Sequence, residues 1–272
     1  MGTEKHLTEG RRTVLENKFF SANVGDTTYE FKVLKRIGAK AKRFSDVNFS
    51  RCIFTDSYFR NCTFENCNFT GTVFNNSNFR GTKFINCTFD YAEFFRSRFE
   101  AEIFACKPNR ENICRDFARR LKMNFRGLGE KEMESKAVQL ELDSNEKFLF
   151  KSWSDGDQQG YYRRKYIGQQ RFFKFVEWIV FVILKYVWGN GESFKRLAFT
   201  FATAIALVIA VTYVFRVDQT LTIKDSIVRG PFMMFGAYKN TLPEYWNAII
   251  LVVRLVLFGL LISMIIKKWT FK

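Results

Sequence analysis

Histidine is almost missing from this 272-residue chain: the single one is His6. With it go most histidine-based catalytic constellations and mixed Cys/His zinc sites. Proline is scarce too, at three residues, and no CxxC pair occurs among the six cysteines. Neither a metal nor a cofactor is expected. Acidic residues are outnumbered: 27 Asp and Glu face 43 Lys and Arg, a net charge of +16. Such an excess suits an anionic partner, nucleic acid or a lipid surface. Residues 1–30 lack an apolar run, so no secretory signal is expected.

What the chain has in abundance is phenylalanine, 33 residues of it. Between Lys42 and Cys106 it returns at every fifth position: Phe44, Phe49, Phe54, Phe59, Phe64, Phe69, Phe74, Phe79, Phe84, Phe89, Phe94, Phe99 and Phe104. Two residues before most of these stands a small side chain, among them Val47, Cys52, Ser57, Cys62, Cys67, Thr72, Ser77, Thr82, Cys87, Ala92 and Ser97. A period of five fits neither the 3.6 of a helix nor the 2.0 of a strand. A short fixed period with one large and one small slot marks a solenoid.

The pattern resembles the pentapeptide-repeat family. That resemblance implies a right-handed quadrilateral β-helix with both slots pointing inward and four pentapeptides to a coil, hence about three coils here. Phe44, Phe64, Phe84 and Phe104 would form one column at the ~4.8 Å spacing of paired strands. Cys67 and Cys87, twenty residues apart, would stack on neighbouring coils; they are read as a reduced, packed pair, which favours the cytoplasm. The repeat itself is nearly neutral, with eight basic and seven acidic residues over 42–106. Its outward positions, such as Asp46, Asn48, Arg51, Asp56 and Arg60, form no nucleophile–base set, so no enzyme is expected. Some members of the family mimic DNA against a topoisomerase, but with acidic, soluble surfaces. Nucleic acid is therefore not expected as a partner.

Residues 1–41 read as an N-terminal cap in which Thr27–Lys35 is strand-like. The five-residue register stops at Pro108, and 107–150 reads as a helical hairpin closing the last coil. Its first helix carries Ile113, Phe117, Leu121 and Phe125 on one stripe and ends at Gly127 and Gly129; the second covers Glu130–Phe150. Residues 151–196 read as a basic loop followed by an amphipathic helix at 172–188. At 100° per residue its charges, Lys174, Glu177 and Lys185, fall within about 80° of one another. This suits a helix lying in a membrane interface, with an imperfect span as the alternative. Arg163, Arg164, Lys165, Arg171 and Lys174 are the candidate contacts to anionic lipid, each worth ~1 kcal/mol near a charged surface.

Long apolar runs appear only after this point. Leu197–Phe215 holds no charge and makes ~28 Å of helix, close to the hydrocarbon thickness. It sets a first transmembrane helix at 197–216. A second, at 245–267, opens on Tyr245 and Trp246 and closes on Lys267, Lys268 and Trp269. Residues 217–244 form an extracytoplasmic loop, in which Ile227–Ala237 is apolar enough for a short re-entrant segment or a surface-lying loop. Lys185, Lys195 and Arg196 before the first span, with the lysines after the second, place both termini in the cytoplasm.

A further resemblance concerns this half of the chain. Some bacterial pentapeptide-repeat proteins carry a helical linker, a Gly-Tyr-Gly-Glu-like turn and an ion-channel module of two helices. Phe125-Arg126-Gly127-Leu128-Gly129 is similar to that linker, Trp188-Gly189-Asn190-Gly191-Glu192 to the turn, and Leu255–Lys267 with Gly259 to the second channel helix. The resemblance implies a homo-oligomeric pore in the bacterial inner membrane, with a cytoplasmic repeat for assembly or sensing. A potassium filter of Thr-x-Gly-Tyr-Gly type lines the path with backbone carbonyls. The nearest segment here, Phe235, Gly236, Ala237, Tyr238 and Lys239, lacks the Thr and the second Gly, so potassium selectivity is not expected. Arg254, nine residues beyond Tyr245 in the second helix, either rings the passage with positive charge or reaches outward to the interface. The alternative function is a non-conducting, membrane-tethered scaffold that recruits a cytoplasmic protein. A toxic membrane effector in antiviral, phage-directed defence is one use such a pore would serve.

Overall fold

The protein is described by a computed structural model covering residues 12–154, 160–215, 222–237 and 242–270. It divides into two compact units, Met1–Ile167 and Gly168–Lys272.

The first unit begins as a parallel β-solenoid of about four coils. One face is a five-stranded sheet, in spatial order β1 (Val14–Glu16), β3 (Val33–Lys35), β6 (Ile53–Thr55), β9 (Val73–Asn75) and β11 (Glu93–Phe95). A second face joins β2 (Val24–Gly25), β5 (Arg43–Ser45), β8 (Thr63–Glu65) and β10 (Lys83–Ile85); a third pairs β4 (Gly38–Lys40) with β7 (Tyr58–Arg60). Isolated parallel bridges Thr28–Asn48, Asn48–Asn68 and Asn68–Thr88 make the fourth. The twenty-residue step is direct: Phe44 pairs with Phe64, Phe64 with Phe84, and Phe54 with Phe74.

Short strands suit this chain because a corner follows every ladder residue. Asp46, Arg51, Asp56, Asn61, Asn66, Asn76, Asn86, Tyr91 and Arg96 all have positive φ, as do Gly71 and Gly81 in the same slot. Asn and Asp, frequent there, tolerate that left-handed conformation better than most residues. Inside, the rings stack in columns: Phe49–Phe69 at 5.3 Å, Phe69–Phe89 at 5.0 Å, Phe59–Phe79 at 5.2 Å and Phe79–Phe99 at 5.0 Å. Burying each ring contributes about 1.5–3 kcal/mol.

Two expectations are corrected here. The solenoid does not start at Lys42: the stretch expected as a separate cap holds β1 to β4, with Leu15, Phe20, Val24, Tyr29, Leu34 and Ala39 standing in the inward slot. Thr27–Lys35 is accordingly no single strand but a bridge, a corner and β3. The slot spacing shortens to four between Phe20 and Val24, so β1 pairs with β3 at a step of nineteen, Leu15 against Leu34. No left-handed corner residue occurs between Asn17 and Asp26; the residue omitted from that coil is a corner. At the other end, Phe104 leaves its column. It lies in a 3-10 helix, Ala101–Cys106, where Ile103 takes the interior and Phe104 is half-buried against Phe125 at 6.1 Å.

A hairpin of α1 (Glu111–Leu128) and α2 (Lys131–Trp153) closes the last coil. Ile113, Phe117, Leu121 and Phe125 are buried as their stripe predicts. Phe117 meets Phe94 at 5.8 Å and Phe89 at 6.2 Å. Gly129, with φ 73°, turns the chain between the helices; its N–H donates to Arg126 O, and that of Glu130 to Phe125 O. Gly127 sits inside α1. A short α3 (Tyr161–Lys165) ends this unit; within the stretch expected as a basic loop, residues 155–159 lie outside the described residues.

Candidate functional site

The second unit consists of α4 (Gln169–Trp188), α5 (Phe194–Val214), α6 (Ile223–Phe235) and α7 (Glu244–Thr270). Two of these helices are long and apolar enough to cross a membrane: Phe194–Val214 and Glu244–Lys267. Their side chains are largely uncovered within the chain; only 17% and 6% of the respective apolar windows are buried.

α5 and α7 run antiparallel. Phe201 meets Phe258 at 5.8 Å, and at the opposite end Phe215 meets Trp246 at 4.9 Å. The end holding the start of α5 and the finish of α7 is polar and closely tied. Gly189, Asn190 and Gly191 all have positive φ and form the tight turn from α4. Ser193 caps α5, accepting from Arg196 N at 3.3 Å. Arg196 Nη1 donates to Lys185 O at 2.8 Å, and Thr200 Oγ1 to Val187 O at 2.7 Å. Lys267 closes the set from α7: its ammonium pairs with Glu192 and donates to Gly191 O at 3.2 Å. The turn motif is thus the anchor for the end of the second long helix.

α6 begins with a capping box between Thr222 and Asp225. It approaches α5 closely at Gly230, where an added Cβ would stand 2.4 Å from Ile209 Cγ1. Its far end is built around Gly236. That residue has φ 78°, its N–H donates to Met233 O at 3.1 Å, and Ala237 N donates to Phe232 O at 2.8 Å. These are the paired bonds of a helix stop. Arg254 lies against this stop: a Cβ on Gly236 would be 2.0 Å from its Nη1. Phe235 meets Phe258 one turn further along α7, at 5.9 Å. Arg254 is half-buried and falls near the middle of α7.

The electrostatics explain the placement. A helix C-terminus carries roughly half a negative charge on unsatisfied carbonyls, and a cation beside it is stabilising. No described residue forms an ion pair with Arg254, and its guanidinium stands beside Gly236 at the C-terminal end of α6, a favourable place for a charge that is costly on an apolar helix.

The comparisons with known proteins bear on the first unit. Residues 43–81 and 64–100 match the pentapeptide repeats, in eight copies. The chain carries a pentapeptide-repeat domain. Among solved structures, a similar chain is a trypsin-treated form of QnrB1, a plasmid-mediated fluoroquinolone resistance protein. It is 14% identical, the match covering 32% of this chain and 62% of that one at a TM-score of 0.12. An overlap so slight says nothing of activity. No curated protein matches the chain.

Of the residues singled out in sequence, Phe235, Gly236, Arg254 and the neighbour of Gly259 come together beyond the repeat domain. Gly259 itself is exposed, with nothing near the position a Cβ would take. Phe235–Ala237 forms a helix stop, not an extended carbonyl-lined strand, while Tyr238 and Lys239 lie outside the described residues. The basic residues divide between the two units. Arg163, Arg164 and Lys165 belong to α3, where Lys165 lies over the rings of Tyr161 and Tyr166 at 5.5 and 5.7 Å. Arg171 and Lys174 belong to α4, where Lys174 pairs with Glu177 at 2.6 Å. On α4 the exposed stripe Phe173, Val176, Val180 and Ile183 is apolar. The contact between Gly236 and Arg254 was not read from sequence. Its signal was present: a lone arginine in an apolar helix, downstream of a glycine that ends an apolar segment.

Proposed function

We propose that the chain is one subunit of an oligomeric, channel-like membrane pore that is not potassium selective. The observation that carries the reading is Arg254 held against the end of α6 near the middle of α7, in a unit whose two long apolar helices are mostly uncovered. Two such helices cannot enclose a passage, so copies of the chain must supply the remaining walls. A guanidinium beside a short helix at that depth would disfavour cations. Lys185, Lys195, Arg196 and Lys267 cluster at or beside one end of the α5–α7 pair, which supports a bacterial inner-membrane location with both termini in the cytoplasm. The pentapeptide-repeat domain then serves assembly or sensing, with no catalytic role, and the basic residues of α3 and α4 meet anionic lipid.

Reconstitution tests this directly. Native mass in detergent should show an oligomer, and the reversal potential in vesicles should not follow a potassium gradient. Arg254→Ala should shift permeability toward cations. A strictly monomeric particle would sink the pore reading.

A second reading is a membrane-tethered scaffold whose solenoid recruits a cytoplasmic protein. The helix stop at Gly236 favours it, since a backbone closed on itself offers few free carbonyls to an ion. An oligomer that stays impermeable to all small ions would select this reading.

A further inference from the structure

The near neutrality of the repeat hides an uneven distribution of charge. On the face where β4 pairs with β7, two rows of outward positions run along the solenoid axis. One row is Phe19, Gly38, Tyr58, Asn78 and Arg98, each bridged to the next. The other is Lys40, Arg60, Arg80 and Glu100; Lys40 pairs with Arg60, and Asn61 N donates to Arg80 O at 3.1 Å. Lys40, Arg60, Arg80 and Arg98 are exposed, and no described acid forms an ion pair with any of them. Glu100, the one acid in the two rows, accepts from Gly81 N at 3.2 Å.

Elsewhere on the solenoid several cations meet acids. Arg43 pairs with Glu65 at 3.8 Å, Arg51 with Glu30 at 4.0 Å and Lys35 with Glu16 at 3.1 Å. At two corners an acid is followed one coil later by an amide that donates to it: Asn66 Nδ2 to Asp46 Oδ1 at 3.1 Å, and Asn76 Nδ2 to Asp56 Oδ1 at 2.6 Å. Like charges directly opposite one another on paired strands destabilise a sheet. Lys40, Arg60 and Arg80 stand in such a column, at the ~4.8 Å spacing of paired strands. An anion extended along the same axis relieves that repulsion.

Aromatic side chains share this face. Phe19 lies against Gly38, where an added Cβ would stand 2.2 Å from Phe19 Cε1, yet it is 80% exposed, more than any other large apolar residue described. Tyr58, one step beyond Gly38 in the same row, is also exposed, and its hydroxyl accepts from Arg60 Nη1 at 3.4 Å. Three of the four cations are arginines, whose planar guanidinium matches a phosphate through two hydrogen bonds. Cations in file beside exposed rings on a sheet suit a single strand, whose phosphates meet the charges while its unpaired bases stack on the aromatics. An acidic peptide would satisfy the charges but offers no base planes to Phe19 and Tyr58. We propose that this face binds a single-stranded nucleic acid along the solenoid axis, with phosphates on Lys40, Arg60 and Arg80 and bases against Phe19 and Tyr58. It is a partner that the net charge of the repeat does not suggest. The proposal concerns the first unit alone and holds whether or not the second forms a pore.

The test is fluorescence anisotropy of a short, labelled RNA of mixed sequence, titrated with the full chain in uncharged detergent; DNA of the same sequence is a second arm. Binding should weaken as salt rises. Arg80→Ala should weaken it further and make the log–log salt dependence shallower by about 0.7, the share of one phosphate on a single strand. Lys83→Ala removes an exposed charge three residues further on, in β10 of the neighbouring face, and should bind as the unaltered chain does. Tyr58→Ala should lose about fivefold or more in affinity, the lower end for a stacked base, without changing the salt slope. The duplex of the same sequence and poly-glutamate should both compete poorly. Absence of binding overturns the proposal, as do equal losses from Arg80→Ala and Lys83→Ala, or displacement by poly-glutamate as effective as by the unlabelled strand.

Discussion

Asn124 and Ser97 exchange two hydrogen bonds, Ser97 N to Asn124 Oδ1 at 2.8 Å and Asn124 Nδ2 to Ser97 O at 2.7 Å. They complete a series that runs along the solenoid. Ile37 N donates to Ser57 Oγ at 3.2 Å, Ser57 N to Ser77 Oγ at 3.1 Å, and Ser77 N to Ser97 Oγ at 3.1 Å. Where a fifth coil would provide the next acceptor, α1 supplies a carboxamide. Asn124 thus matches both the donor and the acceptor of an exposed sheet edge, which would otherwise invite pairing with another chain.

Asn124→Ala should leave both groups of Ser97 buried and unmatched, at a cost of about 1–3 kcal/mol each. Thermal unfolding should show a clear drop. Met123→Ala, next door but exposed, should change little. Equal midpoints for the two variants would refute the capping role.

The Phe columns should differ sharply by position. Phe69→Ala removes a fully buried ring stacked on two others and should cost about 3–5 kcal/mol. Phe95→Ala, whose ring faces outward, should be close to neutral. Phe104→Ala should fall between them, since its ring has left the column. Denaturant midpoints compared across the three variants check this order.

The ladder from Phe44 to Phe99 was legible because one residue type occupies one slot without a break. The coil before it was hidden. Its slot holds Leu15, Phe20, Val24, Tyr29, Leu34 and Ala39, six positions filled by five residue types, and one interval is four. Phe104 shows the reverse error: identity and spacing agree, but the next small slot is Glu102, which a closed interior does not admit, and the chain turns into a 3-10 helix. In the second unit the long helices could be read from length and apolarity. The state of Phe235–Ala237 could not, since a glycine after an apolar run serves a helix stop as well as a filter loop.

Glu111 makes the hairpin sensitive to acid. Burial raises its carboxyl pKa, but the Lys151 ammonium at 2.5 Å, its own backbone N–H and the Tyr162 hydroxyl outweigh that and hold it below the usual value. A lowered folded-state pKa contributes stability above the unfolded value, lost as pH falls through the folded one. Unfolding temperature should therefore decline on acidification, and less steeply in Glu111→Gln. Parallel pH profiles for the two proteins would contradict the assignment.

Gly236 and Arg254 should be coupled. Gly236→Ala places a Cβ at positive φ and 2.0 Å from Arg254 Nη1, so the single variant should destabilise the helical unit by more than the ~1 kcal/mol of the conformational term alone. In an Arg254→Ala background the steric part disappears and only the conformational part remains. Resistance to proteolysis in detergent, measured over the four proteins of the cycle, should be non-additive; additive losses would mean the two residues do not touch.

The nineteen-residue coil between β1 and β3 bears on how the chain finds its alignment. Twelve near-identical repeats, from Phe44 to Phe99, offer many equivalent pairings, and a coil displaced by one whole step would bury almost the same rings. Such degeneracy invites slippage. The missing corner between Phe20 and Val24 ends it from one side, because only β3 lies nineteen residues beyond β1 with slots that coincide. Asn124 ends it from the other, because α1 follows the last coil and pairs with both groups of Ser97. A repetitive stretch thus takes its address from its two irregular ends.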